Sequence, residues 1–358
     1  MMKKKVVVGM SGGVDSSVAA LLLKEQGYDV IGVTMQMWQE QKETQEENGG
    51  CCGFSAAEDA ARVAGQLDIP HYVINFEREF KEQVIDYFAE EYLQGRTPNP
   101  CIVCNRSVKW EALLQRSLAM GADYIATGHY ARIDKLSNGR YAVRNSVTAS
   151  KDQTYALYNL TQEQLARTLM PIGGYTKEEI RQMAEQAGLF VAGKPDSQDI
   201  CFVPDGDYAA FVERKAGGRT PRPGNFVDLD GNVLGRHQGI THYTIGQRKG
   251  LGIALGRRAF VCRIRLETNE VVIGENEDTF TREILCNKVN YMAVAGLTGP
   301  ERVMAKIRYS HQGAACTIEE REDGTVACLF DEPVRASTPG QAIVFYRGEY
   351  VLGGGTIL

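Results

Sequence analysis

Short apolar runs and stretches of helical spacing alternate through the first two hundred residues. Val6, Val7 and Val8 form a run of buried-strand length that ends in a glycine-rich turn. Residues 16–26 follow with helical spacing, and Gly27 stands where a helix stops. The same alternation predicts strands over 30–35, 71–76 and 124–127, with helices over 55–67, 79–93 and 106–120 between them. Ser55 and Glu58 have the spacing of a capping box for the second helix, and 95–100 reads as a breaker. Strands that alternate with helices pair in parallel through crossovers, so the expected fold is α/β with a doubly wound parallel sheet. Ligands of such sheets lie beyond the carboxyl ends of the strands, where the loops at 9–16, 35–38 and 127–130 fall.

After about residue 205 the pattern changes. Residues 206–276 are rich in Gly, Arg and Pro, with few periodic runs. From 277 only short strands are expected, over 302–309, 315–319, 326–330 and 342–346, with turns such as Glu322-Asp323-Gly324 and Pro339-Gly340 between them. That is the pattern of a small β-barrel. The expected domains are therefore 1–205, a nucleotide-binding domain; 206–276, a small basic central domain; and 277–358, a β-barrel.

Composition adds limits. The chain has 358 residues, 43% hydrophobic and 24% charged, which suits a soluble protein of two or three domains. The valine run near the N-terminus is too short for a signal-peptide core, and no apolar stretch approaches membrane-spanning length. The expected location is the cytoplasm, with no membrane partner. The net charge of −5 conceals a division. Residues 37–95 hold thirteen acidic against four basic residues, whereas 206–265 hold eleven basic against four acidic. A basic segment on an acidic protein can serve as a footprint for a polyanion. The cluster Arg214, Lys215, Arg219, Arg222, Arg236, Arg248, Lys249, Arg257 and Arg258 suits a phosphate backbone.

Nine cysteines in a cytosolic chain argue against a disulfide framework. Cys262, Cys286, Cys316 and Cys328 sit singly in apolar or alternating stretches and read as buried. Cys51, Cys52, Cys101, Cys104 and Cys201 lie near loop signals, and for Cys51-Cys52 local packing is the favoured reading. Cys104 stands two residues before the expected helix start at Arg106, where a thiol ionises readily. Cys201 lies in a second, distant loop. Two such thiols at one site can move a sulfur atom by exchange.

The strongest motif is Gly9-Met10-Ser11-Gly12-Gly13-Val14-Asp15-Ser16, between the first strand and the first helix. Glycines let the turn aim successive N–H groups inward, and the helix terminus adds free donors and a positive dipole. Ser11 and Ser16 can donate to phosphate oxygens, and Asp15 can help hold a magnesium ion. No Walker lysine follows, and the spacing is not that of a dinucleotide fingerprint. Ser-Gly-Gly-x-Asp-Ser in this setting resembles the pyrophosphate loop of the PP-loop ATPases, which activate a carbonyl or carboxylate with ATP.

Further motifs narrow the likeness. They are Gly95-Arg96-Thr97-Pro98-Asn99-Pro100 with Cys104-Asn105, Ala126-Thr127-Gly128-His129-Tyr130, Lys151-Asp152-Gln153-Thr154-Tyr155, Asp196-Ser197 with Ile200-Cys201-Phe202, Tyr243-Thr244-Ile245-Gly246-Gln247-Arg248, Arg308-Tyr309 and Pro339-Gly340-Gln341. In this order, over nearly the whole length, they resemble the tRNA-specific 2-thiouridylases of the MnmA/TrmU family. The resemblance implies ATP-dependent thiolation of the wobble uridine of tRNA, with a cysteine desulfurase or sulfur-relay protein as donor and the Glu, Gln and Lys tRNAs as acceptors. It implies ATP contacts, with magnesium, from Gly9, Met10, Ser11, Gly12, Gly13, Val14, Asp15, Ser16, Met35 and Gly128. Cys104 and Cys201 would be catalytic, Cys201 carrying the persulfide and Cys104 attacking to release it. Asn99, Pro100, Cys101, His129, Lys151, Asp152, Gln153, Arg308, Tyr309 and Gln341 would meet the tRNA.

One position departs from the pattern. Many members have aspartate three residues before the attacking cysteine, and this chain has Cys101. An acid–base role would then fall to Asp196 or Asp199. The change also creates Cys101-x-x-Cys104, which with Cys201 could hold an iron–sulfur cluster; no other metal site is expected. Rival readings are an amidating or argininosuccinate-type PP-loop ligase, and a tRNA-binding protein without catalysis.

Overall fold

The computed structural model describes residues 3–38, 54–195 and 200–358. The chain divides into two compact units, one of residues 1–84, 101–206 and 349–351, the other of 85–100, 207–348 and 352–358.

The first unit is built on a five-stranded parallel sheet. Its strands are β1 Lys5–Gly9, β2 Asp29–Gln36, β3 His71–Asn75, β4 Tyr124–Thr127 and the short β7 Thr168–Leu169, in the order β3-β2-β1-β4-β7. Val6 faces Val30 of β2 and Tyr124 of β4 in the register, so β1 is central. Val6, Val7 and Val8 are each fully buried because helices cover both faces of a parallel sheet, and each contributes about 1.5–3 kcal/mol. Helix α1, Val14–Glu25, returns the chain to β2 and buries Val18, Ala19 and Leu23 on Val6 and Val8. The chain runs outward to one side of β1 through β2 and β3, then crosses to β4 on the other. The order therefore reverses between β1 and β4, and a crevice opens at their carboxyl ends.

The expected strands recur with small changes at their ends, and so do the helices before and after β2. Helix α2 is Phe54–Gln66, so Ser55 is already helical and does not cap it. Several strands escaped the sequence pattern: here the short β7 and the hairpin of β5 Ala131–Lys135 with β6 Tyr141–Asn145, whose Arg144 pairs with Tyr350, and further on the strands of residues 224–274, 280–291 and 350–357.

In the second unit the helices Asp86–Leu93 and Tyr208–Lys215 meet through aromatic rings, Phe88 on Phe211 and Tyr92 on Tyr208. Strands β8 Gly224–Val227, β9 Val233–His237, β10 Phe260–Arg265 and β11 Glu270–Gly274 make a small sheet in the order β10-β11-β8-β9. Its core gathers Phe226, Tyr243, Val261, Val271 and Ile273. The remaining strands are β12 Phe280–Tyr291, β13 Glu301–Lys306, β14 Ala314–Glu320, β15 Val326–Arg335, β16 Ala342–Arg347 and β17 Tyr350–Ile357. They follow the order β12-β15-β14-β13-β16-β17, and β12 pairs with β17 to close a six-stranded barrel that has no edge. Val326, Cys328 and Phe330 point inward and Leu329 outward, the period of two that fills the interior of a small barrel. Cys262, Cys286, Cys316 and Cys328 are buried, as their apolar settings imply.

Among the described residues no helix is long and apolar enough to cross a membrane.

Candidate active site

The loop after β1 is shaped by its glycines. Gly12 has φ +68°, and a Cβ there would lie 2.4 Å from the Ala56 carbonyl oxygen, so only glycine fits. Gly13 is the N-cap of α1 and brings no side chain to cap it, which leaves the first turn's N–H groups without a side-chain acceptor from that position. A Cβ at Gly13 would meet only Ser11 Oγ, at 3.6 Å, so the cradle has room over it. Ser11 N donates to Ser16 Oγ at 3.2 Å, and Ser16 Oγ donates to the Gly13 carbonyl at 3.2 Å. Across the crevice Gly128 follows β4, and a Cβ there would sit 2.6 Å from Ser16 N and 2.7 Å from Asp15 C. The structure thus gathers Gly9–Ser16 and Gly128, far apart in sequence, at the ends of adjacent strands. Met35 reaches the same end of the sheet, its Cε 3.8 Å from where a Gly9 Cβ would be. Open room over Gly13, uncapped helix N–H groups and two hydroxyls fit a nucleotide's phosphates.

The charges around this loop come from elsewhere in the chain. Lys177 Nζ donates to both carboxylate oxygens of Asp15, at 2.8 and 2.9 Å, and Tyr130 Oη donates to Oδ1 at 2.8 Å. Lys194 Nζ donates to the Gly12 carbonyl at 3.1 Å and to Asp59 Oδ2 at 2.7 Å. Neither lysine stands at a spacing from the loop that sequence alone links to it, since no Walker lysine follows the motif. One local signal existed for Lys177. Thr176 and Glu179 form a capping box, and a lysine in the first position of that helix lies at its positive end, where cations are disfavoured. Asp15, expected to help hold magnesium, is therefore engaged by Lys177 and Tyr130. Among the described residues no group of three or more His, Cys, Asp or Glu side chains is placed to hold a metal. The donors present suit magnesium that arrives with nucleotide phosphates, since that ion needs few protein ligands of its own.

The thiols differ from expectation in one respect. The helix around Cys104 begins at Pro100, not at Arg106, because proline's fixed φ and missing N–H suit a first helical turn. Cys104 thus lies inside the helix, at the start of a π-helical stretch, Cys104–Ala112. The helix-terminus argument for its thiolate does not hold. Cys104 is buried instead, its Sγ 3.9 Å from Sδ of Met37, just past the carboxyl end of β2. Departures to π geometry recur at functional sites. Beside it Asn105 is 2% exposed; its amide donates to the Ala156 carbonyl at 3.0 Å, and among the described residues its Oδ1 has no hydrogen-bond partner. Cys201 is half-buried on a turn closed by Val203 N to the Ile200 carbonyl, and Phe202 anchors it on Phe80.

Cys101 is exposed where Cys104 is buried. The alternative of an iron–sulfur cluster on Cys101, Cys104 and Cys201 finds no support: these three described side chains are not grouped so as to hold a metal ion. Asp196 and Asp199, named for acid–base work, lie outside the described residues, as do Cys51 and Cys52.

The residues expected to meet tRNA are held in several ways. Gln153 Oε1 accepts from Tyr130 N at 2.9 Å, and Asp152 accepts from Ser146 N at 2.9 Å and Thr154 N at 3.1 Å; Lys151 beside them is half-buried. His129 is buried against Trp110 and shares a 2.7 Å hydrogen bond with Thr127 Oγ1. Burial, with Lys109 nearby, holds it neutral, well below the usual histidine range. In the second unit Gln341 donates to the Thr97 carbonyl at 2.9 Å, and Thr97 N donates to the Pro339 carbonyl at 2.9 Å. Those bonds fix the segment that leads to Asn99 and the buried Pro100. Arg308 donates to the Arg335 carbonyl at 2.9 Å, and Tyr309 is half exposed. Part of the basic cluster is neutralised locally, Arg219 by Glu90 and Arg257 by Glu275.

A parallel sheet with a glycine phosphate loop at its switch point, joined to a β-barrel, defines a nucleotide-binding protein of the PP-loop class. Three family models match the chain in succession: a tRNA methyl transferase HUP domain over 4–205, a tRNA methyl transferase PRC-barrel domain over 210–275, and an aminomethyltransferase beta-barrel domain over 281–357. A tRNA-specific 2-thiouridylase MnmA of Lachnoclostridium phytofermentans is 67% identical over 99% of both chains. One of Clostridium perfringens is 57% identical over 100% of this chain and 99% of its own. The chain belongs to the tRNA-specific 2-thiouridylase MnmA family. Among solved structures, a 4-thiouridine synthetase–RNA complex with bound ATP is matched loosely, with TM-score 0.38 and 18% identity over 60% of this chain and 51% of that one.

Proposed function

We propose that the protein uses ATP to replace the C2 oxygen of a tRNA wobble uridine with sulfur, working in the cytoplasm through three domains, 1–205, 206–276 and 277–358. The observation that carries this reading is the shared strand-end location of the phosphate loop and Cys104 in a chain 67% identical to a named thiouridylase.

The chemistry follows from what each group can do. A carbonyl oxygen leaves poorly, so the C2 oxygen first attacks the α-phosphorus of ATP; an O–P bond forms, and pyrophosphate departs. Helix N–H groups, Ser11 and Ser16 stabilise the developing phosphate charge. The terminal sulfur of a persulfide on Cys201 then attacks C2, and AMP leaves with the former carbonyl oxygen. The thiolate of Cys104 attacks Cys201 Sγ; the S–S bond to the nucleoside breaks, and its electron pair stays with the 2-thiouridine. A Cys104–Cys201 disulfide remains, and an external dithiol reduces it with two electrons. A cysteine desulfurase or relay protein supplies the persulfide. Asn99, Pro100, Cys101, His129, Lys151, Asp152, Gln153, Arg308, Tyr309 and Gln341 are the proposed tRNA-side residues, the Glu, Gln and Lys tRNAs the proposed substrates. Extruding a loop base costs only a few kcal/mol, less than for a paired one.

The test is thiolation of unmodified tRNA by anaerobically purified protein with ATP, magnesium and a sulfur source, read by retardation in a mercury-containing gel. Product that disappears in Cys104→Ser and in Cys201→Ser, but persists in Cys101→Ala without iron, is the expected result. ATP cleavage with no thiolated tRNA under any condition overturns the reading in favour of another PP-loop ligase.

A further inference from the structure

We propose that Lys177 is a positioning residue of the nucleotide loop, which cancels the charge of Asp15 and so lets an acidic side chain stay beside the phosphate cradle. The inference rests on reading that loop as a nucleotide site.

Asp15 lies in the first turn of α1, the turn whose N–H groups face the cradle. A carboxylate there suits the helix dipole but repels any phosphate bound next to it. Lys177 removes that conflict. It grips both carboxylate oxygens, and with side chains 8% and 29% exposed the pair is screened less than one on the open surface. Its place is otherwise unfavourable: a buried lysine in the first position of the helix Lys177–Gln186, at the positive end of that helix. Asp15 is the counter-charge that makes the placement tenable. Tyr130 fixes the same carboxylate oxygen, and its ring lies under Lys177 Nζ at 5.8 Å. Tyr130 is two residues past Gly128, so the pair is tied to the loop on the other side of the crevice.

The consequence is specific. With Lys177 in place the loop is close to neutral before nucleotide arrives. Without it Asp15 faces the phosphates uncompensated, most severely when no magnesium accompanies them.

The experiment titrates ATP into full-length protein by calorimetry, once with magnesium and once with EDTA. The variants are Lys177→Gln, Lys177→Arg, Asp15→Asn and the double variant Asp15→Asn with Lys177→Gln. We expect Lys177→Gln to weaken ATP binding about ten- to hundredfold in EDTA and less with magnesium. Lys177→Arg should stay within a few fold of wild type, and adding Asp15→Asn should restore most of the affinity that Lys177→Gln loses. A double variant as weak as Lys177→Gln alone, or equal losses with and without magnesium, overturns the proposal and leaves Lys177 a structural or direct phosphate contact. Wild-type protein that binds no ATP in either buffer instead overturns the nucleotide reading of the loop. A thermal unfolding scan of each variant keeps failure to fold separate from failure to bind.

Discussion

The ion pairs beside the phosphate loop and those on the barrel differ in exposure. Beside the loop of the first unit, Lys177 with Asp15 has side chains 8% and 29% exposed, and Lys194 with Asp59 34% and 30%. In the second, the barrel carries its pairs outside; Arg302 with Asp331 has side chains 59% and 49% exposed, and Arg321 with Glu283 is similar. Water weakens the outer pairs and leaves the inner ones strong, so only the inner ones can set geometry. The thiols divide as well. Those of the barrel interior are sealed in, with Cys316 pushed up to about 12 chiefly by burial, whereas Cys101 of the first unit is exposed.

The largest expected effect falls on the nucleotide loop. Gly128→Ala would place a methyl group 2.6 Å from Ser16 N and push the loop away from β4. ATP affinity should drop about a hundredfold or more, since losing one or two hydrogen bonds to charged phosphate costs about 1.5–3 kcal/mol each. Calorimetry reads it, and unchanged affinity would break the claim that this crossing point shapes the site.

A smaller effect is expected in the barrel. Cys316→Ser buries a hydroxyl in an apolar interior and should cost about 1–3 kcal/mol of unfolding free energy, seen in denaturant titration. In the native protein at pH 8, iodoacetamide should label Cys101 and spare Cys262, Cys286, Cys316 and Cys328, with the sites mapped by mass spectrometry. Prompt labelling of Cys316 would show that the barrel opens and would erase the contrast.

His129 sharpens the comparison through pH. Its folded value lies below its unfolded one, so the unfolded chain binds the proton first as pH falls through about 6.5. The stability tied to its neutral form is complete above that point and is lost on acidification, by at most about 1.4 kcal/mol per pH unit for one proton. His71, His237 and His311 are also shifted down by burial and act in the same direction. His129→Asn should therefore flatten, not abolish, the decline in unfolding midpoint between pH 7 and 5. An unchanged slope would mean that the ring is hydrated in solution.

The smallest effect belongs to the barrel exterior. Arg302→Ala should leave the unfolding midpoint unchanged at physiological salt, because both partners are solvated. A clear loss would mean that the outer pairs also set structure.

Much of this was legible in the residues themselves. The valine run, the glycine loop and the strand–helix alternation announced the parallel sheet, since each depends on neighbours a few residues away. The same holds for four of the six barrel strands and for the burial of its cysteines, whereas β12 and β17, which close the barrel, were not legible. The capping box at Ser55 and the helix start at Arg106 failed for a local reason. Helix ends shift by a turn at little cost, and Pro100 offered an earlier start.

What the chain alone did not disclose are contacts between distant residues. Lys177 reaches Asp15 across 162 positions, and Lys194 reaches Gly12 across 182. No spacing rule links such residues, because the link exists only once the sheet has ordered its strands 3-2-1-4-7. The sequence by itself determined the glycine loop after the first strand, the positions of the cysteines and the change from α/β to all-β. Tertiary structure alone decided which charges stand beside that loop, and that Cys104 is buried while Cys101 is exposed. The physical reason is that backbone conformation follows from nearby residues, whereas burial and charge pairing are properties of the packed whole.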